Sequence, residues 1–319
     1  MTAPGQAQRR GITLPELMRL FPDDAAAEAF FAEERWAGAP SCPSLDPDDG
    51  TVCGSLNVQS GASHPTMPYR CRDCRKRFSV KTGTVMEGSN LGYQTWALAA
   101  YLLTTNLKGV SSMKLHRDLG ITQKSAWHLA HRLREAWEDE GREFTGPVEV
   151  DETFVGGKAA NMHEAQRERM RQAAYPKAPI VGVRDRATGQ VSARAVEITD
   201  GETLRGFVRE HTQPGAKVYS DGHGAYTLLD GEYQHAAVQH SVGTYAIGDV
   251  NTNGIESLWS MFKRGYYGTY HRMSPKHLNR YAHEFAGRHN ARPLDTIDQL
   301  RAIVRGMVGK RLRYRDLTA

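Results

Sequence analysis

Three acidic residues in three separated segments place the strongest constraint on how this chain can fold. Asp151 ends the apolar alternation Val148-Glu149-Val150-Asp151. Asp221 follows the short run Lys217-Val218-Tyr219-Ser220. Glu256 opens the amphipathic stretch from Ile255 to Lys263. The pattern predicts two acids at strand ends and one in the first turn of a helix. Carboxylates delivered this way converge on two Mg2+ ions about 3.5–4 Å apart, the arrangement that drives in-line phosphoryl transfer.

Each acid also has an ordinary structural explanation. Asp151 fits a polar strand end, Asp221-Gly222 is a turn signal, and Asn253-x-x-Glu256 has the form of a capping box. Singly, these readings are at least as good as catalysis; it is the combination that favours a site. Ile255, Leu258, Trp259 and Phe262 form a buried stripe at helical spacing. Glu256 and Lys263 share one flank of it. Lys263 is then placed to touch a phosphate near the metals, or else is a solvated lysine.

The chain has 319 residues, of which 39% are hydrophobic, enough for two or three domains with sizeable cores. No run approaches the roughly 18 apolar residues of a membrane span, and no secretory leader pattern is visible. A cytoplasmic protein without membrane contacts is expected. The net charge is +5, and its distribution matters more than its size. Residues 70–81 carry Arg70, Arg72, Arg75, Lys76, Arg77 and Lys81 against the single acid Asp73. Residues 263–280 interleave Lys263, Arg264, Arg272, Lys276 and Arg280 with Tyr266, Tyr267 and Tyr270. Lys310, Arg311, Arg313 and Arg315 repeat the theme. Basic clusters mixed with aromatics suit a nucleic-acid backbone, whose counterions are released on binding.

Secondary structure reads coarsely as follows. Residues 12–36 predict two short helices split at Pro22, and residues 91–137 predict helix throughout. From Gly146-Pro147 strands alternate with helices. Strands are expected at 148–155, 179–185, 190–197 and 217–220, a helix at 201–211, and helices from 253 onward. Segment 159–177 yields no assignment.

All four cysteines, Cys42, Cys53, Cys71 and Cys74, fall within residues 42–74. Clustered thiols in a cytosolic chain point to tetrahedral Zn2+. Cys71-Arg72-Asp73-Cys74 has the gap of a zinc knuckle. Cys42 and Cys53 are too far apart for one. Either the Asp-rich stretch between them loops out or the site has degenerated, with His64 as a substitute ligand.

Residues 109–137 read as a helix-turn-helix. Ser111 or Ser112 caps a first helix that ends at Asp118, Leu119-Gly120-Ile121 turns, and Thr122 caps a second helix. Ala126, Leu129, Ala130, Leu133 and Trp137 form its core face. Gln123, Lys124, Ser125, His128, Arg132 and Arg134 are left for groove and phosphate contacts. The competing reading is an ordinary helical hairpin.

Together these motifs resemble a known family. The runs Val150-Asp151-Glu152-Thr153-Phe154-Val155-Gly156-Gly157-Lys158, Ser220-Asp221-Gly222, Asn253 to Gly265, and Gly268-Thr269-Tyr270-His271 are similar to those of bacterial insertion-sequence transposases of the DDE superfamily. More narrowly they resemble the insertion-sequence family numbered fifteen ninety-five. Arg77 to Thr84 also matches. The resemblance extends from about residue 12 to residue 295.

The resemblance implies an α/β RNase H-like catalytic domain, a mixed sheet flanked by helices, preceded by helical, zinc-ribbon and helix-turn-helix modules. The implied organisation is N-terminal helices at 1–37, a zinc-ribbon-like DNA-binding module at 38–90, and a helix-turn-helix domain at 91–145. The catalytic domain follows at 146–300 and a basic tail at 301–319. It implies a catalytic set of Asp151, Asp221, Glu256 and Lys263, with the three acids holding two Mg2+ or Mn2+ ions and Asn253 as a secondary candidate. Structural Zn2+ would sit on Cys42, Cys53, Cys71 and Cys74. Arg75, Lys76, Arg77, Gln123, Lys124, His128, Arg132, Arg264, Tyr266 and Tyr267 would contact double-stranded DNA, both element ends and target. A homodimer or higher oligomer on DNA and a nucleoid-associated, cytoplasmic location are expected. A metal-dependent nuclease without strand transfer, or a non-catalytic DNA-binding regulator descended from a transposase, remain as alternatives.

Overall fold

The computed structural model describes residues 9–319 apart from 46–48, 62, 139–140, 157–163, 165–167, 169–176, 222–223, 230 and 239–249. The unassigned segment 159–177, Gly157-Lys158 and Gly222 thus lie wholly or largely outside the described residues. The chain divides into two compact units. One comprises Met1–Asn106, Val110–Ala136 and Arg292–Ala319, the other Leu107–Gly109 and Trp137–Ala291.

In the first unit, α1 (Leu14–Leu20) starts at a capping box between Thr13 and Glu16, and α2 (Asp24–Trp36) at the Asp23 side chain, which accepts from Ala26 N–H. Phe31 and Trp36 of α2 are buried. A three-stranded antiparallel sheet follows: β1 (Val58–Gln59), β2 (Tyr69–Cys71) and β3 (Arg77–Phe78). The predicted helix over 91–137 is three helices: α3 (Tyr93–Thr105), α4 (Ser112–Leu119) and α5 (Gln123–Glu135). Ser111 caps α4, Gly120 turns the chain at φ 64°, and Thr122 caps α5. The turn therefore forms where its residues predict it.

The second unit is built on a five-stranded mixed sheet. Its strands are β4 (Val148–Val155), β5 (Ala178–Asp185), β6 (Val191–Ala195), β7 (Lys217–Asp221) and β8 (Gln234–Val238), in the order β6-β5-β4-β7-β8. β4 pairs antiparallel with β5 and parallel with β7. The β5–β6 turn is held by Asp185, whose carboxylate accepts from Thr188 N–H and Oγ1 at 2.9 and 2.6 Å. Helices α6 (Gly201–His211), α7 (Asn253–Gly265) and α8 (Leu278–Ala291) flank the sheet. A mixed sheet flanked by helices fits the RNase H-like expectation.

The two faces follow the strand period of two. Val148, Val150, Val181, Val183 and Val218 pack with Leu204 and Phe207 of α6 on one face. Ile180 and Val155 pack with Ile255, Leu258, Trp259 and Phe262 of α7 on the other. Each such side chain taken out of water contributes about 1.5–3 kcal/mol. The indole of Trp259 lies against Gly182, where an added Cβ would come within 2.7 Å of the ring. Any larger residue at Gly182 would push α7 off the sheet.

Two elements depart from expectation. β8 was not predicted, because Gln234-His235-Ala236-Ala237-Val238 has little intrinsic strand preference and forms by pairing with β7. The expected basic tail is folded into the first unit. There α9 (Thr296–Gly306) packs on α2 and α3, with Arg301 and Arg305 on Glu34 at 2.9 and 3.0 Å. Leu312 and Leu317 are buried, the latter on the short α10 (Tyr314–Thr318). Among the described residues no helix is long and apolar enough to cross a membrane.

Candidate functional site

The middle of β4 and the carboxyl end of β7 form the centre of the site. Asp221 ends its strand as expected, whereas Asp151 lies mid-strand, because β4 continues to Val155 by pairing with β5. Val150 pairs with Ser220 in parallel register, so the next residues, Asp151 and Asp221, stand side by side. Asp151 faces α7, where Trp259 Nε1 donates to its Oδ2 at 3.0 Å. Carboxylate oxygens of Asp151, Glu152 and Asp221 lie within 4.8 Å of one another, a grouping able to hold a metal ion. Burial, then the charges of Asp221 and Glu152, push the Asp151 carboxyl up to about 8. Three crowded acids favour either a proton or a cation.

Two of the three predicted acids therefore meet, and the third stands apart. Glu256 is exposed on the first turn of α7 and accepts from Thr252 Oγ1 at 2.9 Å. Its charge still contributes to raising Asp151. The expected Asn253 cap does not form: Thr252 is the N-cap residue, and it offers no side-chain bond to the helix backbone. The cap comes instead from β4. Glu149, 3% exposed, accepts from Ile255 N–H at 2.9 Å and from Arg186 Nε at 2.8 Å, with Arg184 at 3.4 Å. A carboxylate at a helix N-terminus satisfies orphan N–H groups and the helix dipole together. Gly254 leaves room for it, since a Cβ there would lie 2.6 Å from Glu149 Oε2.

Lys263 and Arg264 are exposed near the end of α7. The helix continues as a π-turn, Tyr266–Tyr270, in which Tyr267 is exposed and Tyr266 is buried against the α7–α8 core. Tyr266 is thus a packing residue rather than a surface for DNA.

In the first unit the four cysteines are together. Sγ of Cys42 lies 3.5 Å from that of Cys74, and Cys53 Sγ 3.9 Å from Cys71 Sγ. A tetrahedral site with Zn–S near 2.3 Å requires about 3.8 Å between sulfurs. The interrupted pair closes because the two described ends of the insert pair with each other. Leu45 bridges Val52, Cys53 N–H donates to Ser44 O, and Gly54 N–H donates to Cys42 O. Asp73 ties the two halves by accepting from Ser55 Oγ and Asn57 Nδ2. Burial pushes the Cys42 thiol up to about 12; burial also raises Cys71, but N–H donors of Cys74 and Asp73 outweigh it and bring that thiol down to about 7. His64 lies outside the cluster and accepts from Thr66 and Met67 N–H.

Arg75, Lys76 and Arg77 are exposed on the cysteine module, as Gln123 and Lys124 are at the start of α5. His128 and Arg132 turn inward to the C-terminal segment, meeting Leu312 O at 3.1 and 3.0 Å. Arg132 is 7% exposed and Arg134 2%, so the helical spacing that assigned them to a groove misplaced them. His128 and Arg132 are covered by a segment distant in sequence, at Leu312.

Sequence reasoning missed Glu149, Glu152 and the donor role of Trp259. Alternation assigns Glu152 to the face opposite Asp151, and a tryptophan in an apolar stripe reads as packing alone. Glu149, buried between valines, carried a usable signal, because a strand-interior acid demands a partner.

Comparison with known proteins bears on residues 143–290, which match the model of an ISXO2-like transposase domain. The chain is also 28% identical over 257 residues to a protein of Halobacterium salinarum described as an uncharacterized protein in transposable element ISH50. That alignment spans 77% of this chain and 84% of the relative.

Proposed function

We propose, from the premise that this chain belongs to the insertion-sequence transposases through its ISXO2-like domain at residues 143–290, that it binds the ends of its element and performs Mg2+-dependent nicking and strand transfer. The observation that carries this reading is the meeting of Asp151 and Asp221 on adjacent parallel strands. The donor set is hard carboxylate oxygen without thiolate or imidazole, which suits Mg2+ or Mn2+. When bound, the ions supply an activated water or 3′-hydroxyl nucleophile and stabilisation of the leaving 3′-oxygen. Asp151 and Asp221 would hold them, and Glu256, whose charge acts on Asp151, would be the third ligand. Trp259 keeps Asp151 oriented. Lys263 neutralises the phosphate under attack, and Arg264 and Tyr267 hold the DNA beside it.

End recognition falls to the first unit. Zn2+ on Cys42, Cys53, Cys71 and Cys74 fixes the ribbon that presents Arg75, Lys76 and Arg77. Gln123 and Lys124 enter a groove from the start of α5, while His128 and Arg132 brace that helix from behind. Joining two ends to one target requires at least a dimer on DNA.

The test incubates the protein with labelled element-end DNA and a target plasmid, in Mg2+ or EDTA, for wild type and Asp221→Ala. Mg2+-dependent nicking and joined product, both lost in the variant, are expected. Cleavage without joining would make the protein a nuclease. End binding without cleavage would make it a regulator.

A further inference from the structure

We infer that Glu152 is a further ligand of the divalent cation held by Asp151 and Asp221, and that Tyr226 positions it for that role. The inference rests on the reading of these acids as a metal site.

Strand alternation gives Glu152 to the face opposite Asp151, the face of α6 and of Tyr226. Among the described residues the β4–β7 ladder reaches Val150–Ser220, next to Asp151 and Asp221, and the Glu152 carboxylate turns back to these two acids. The 3-10 turn Gly224–Leu229 then carries Tyr226 beneath it. Tyr226 is fully buried, and its hydroxyl donates to Glu152 Oε2 at 2.9 Å. That bond anchors the carboxylate beside Asp151 and Asp221.

The result is a group of three carboxylates whose oxygens lie within 4.8 Å, and the group includes Glu152 and not Glu256. Ligands on opposite sides of one Mg2+ stand about 4.2 Å apart, from bonds near 2.1 Å. A small closure therefore places all three on one ion. Neighbouring hydrogen bonds complete the arrangement: Trp259 fixes one oxygen of Asp151 from one face of the sheet, and Tyr226 fixes one of Glu152 from the other.

The experiment is calorimetric titration of Mn2+ into the zinc-replete, full-length protein, with thermal melts to confirm folding. The variants are Glu152→Gln, Glu152→Asp, Tyr226→Phe and Asp221→Asn. Asp221→Asn should abolish binding. Glu152→Gln and Glu152→Asp should each weaken Kd at least tenfold, the first by removing charge and the second by removing reach. Tyr226→Phe should weaken it a few-fold. Wild-type affinity in both Glu152 variants, with binding still lost in Asp221→Asn, would overturn the inference and leave the metal site standing. Absence of binding in wild type would overturn the site itself.

Discussion

Trp259 donates its indole N–H to Asp151 across 3.0 Å, which joins the helix carrying Glu256 to the strand carrying Asp151. The same indole is 3% exposed and lies against Gly182, so it has little freedom to release its partner. A group that packs as part of the core thus sets the orientation of a carboxylate in the candidate site.

Trp259→Phe keeps a ring over Gly182 and removes the donor. It should lower nicking by about one to two orders of magnitude, since small misplacements of reacting groups cost this much. Stability should fall by about 1–3 kcal/mol from the unsatisfied acceptor and the smaller ring. Single-turnover nicking and urea unfolding of the same preparation separate the effects. An unchanged rate would show that the bond is structural only.

Asp151 gives the metal-free protein a pH-dependent stability. Its folded value, about 8, lies above the unfolded one near 3.9, chiefly through burial and then the neighbouring acids. The cost of ionising it is absent below pH 4, grows as pH rises, and is complete above about 8. The melting temperature should therefore fall across that window in EDTA. Asp151→Asn should flatten the fall, and saturating Mg2+ should reverse it in wild type. Calorimetry from pH 4 to 9 checks both; a slope surviving the substitution would assign it elsewhere.

Glu149 is predicted to be the costliest acid to remove. Glu149→Ala leaves Arg184 and Arg186 without their carboxylate and Ile255 N–H without an acceptor. Breaking such a buried pair costs about 3–5 kcal/mol. Glu149→Gln keeps an acceptor and should cost less. Denaturant midpoints rank the two variants, and equal losses would mean that charge is irrelevant there.

Lys124 and Arg132 lie two turns apart on α5 and should behave differently. Lys124→Ala should weaken element-end binding and reduce the slope of log affinity against log salt by about one. Arg132→Ala should lower the melting temperature, because its Nε is committed to Leu312 O inside the first unit. Salt-series binding and melts of both variants decide; a salt-slope change from Arg132 alone would reverse these roles.

Metal analysis should find one zinc per chain, held through all four thiols. Cys74→Ser should lose it, and a strong chelator should abolish DNA binding while leaving the second unit folded. Zinc retained in Cys74→Ser would remove Cys74 from the ligand set.

Local chemistry in the sequence fixes much of this protein. The alternation at 148–155, the caps at Ser111 and Thr122, and the stripe Ile255-Leu258-Trp259-Phe262 act over a few residues, so they are legible without a fold. Asp221 is legible for the same reason, since it ends β7, whereas Asp151 ends only the apolar alternation and its strand runs on to Val155. What escaped depends on neighbours distant in the chain. β8 exists because β7 lies beside it; Arg132 is inward because Leu312 covers it; Cys42 meets Cys53 because Leu45 pairs with Val52. Glu152 lies with the acids against its strand alternation, and the Tyr226 hydroxyl from a later turn holds it. Side-chain periodicity tells which face a strand residue takes, but partners from distant segments decide where its carboxylate comes to rest. Those partners are set by tertiary packing, which no local pattern encodes.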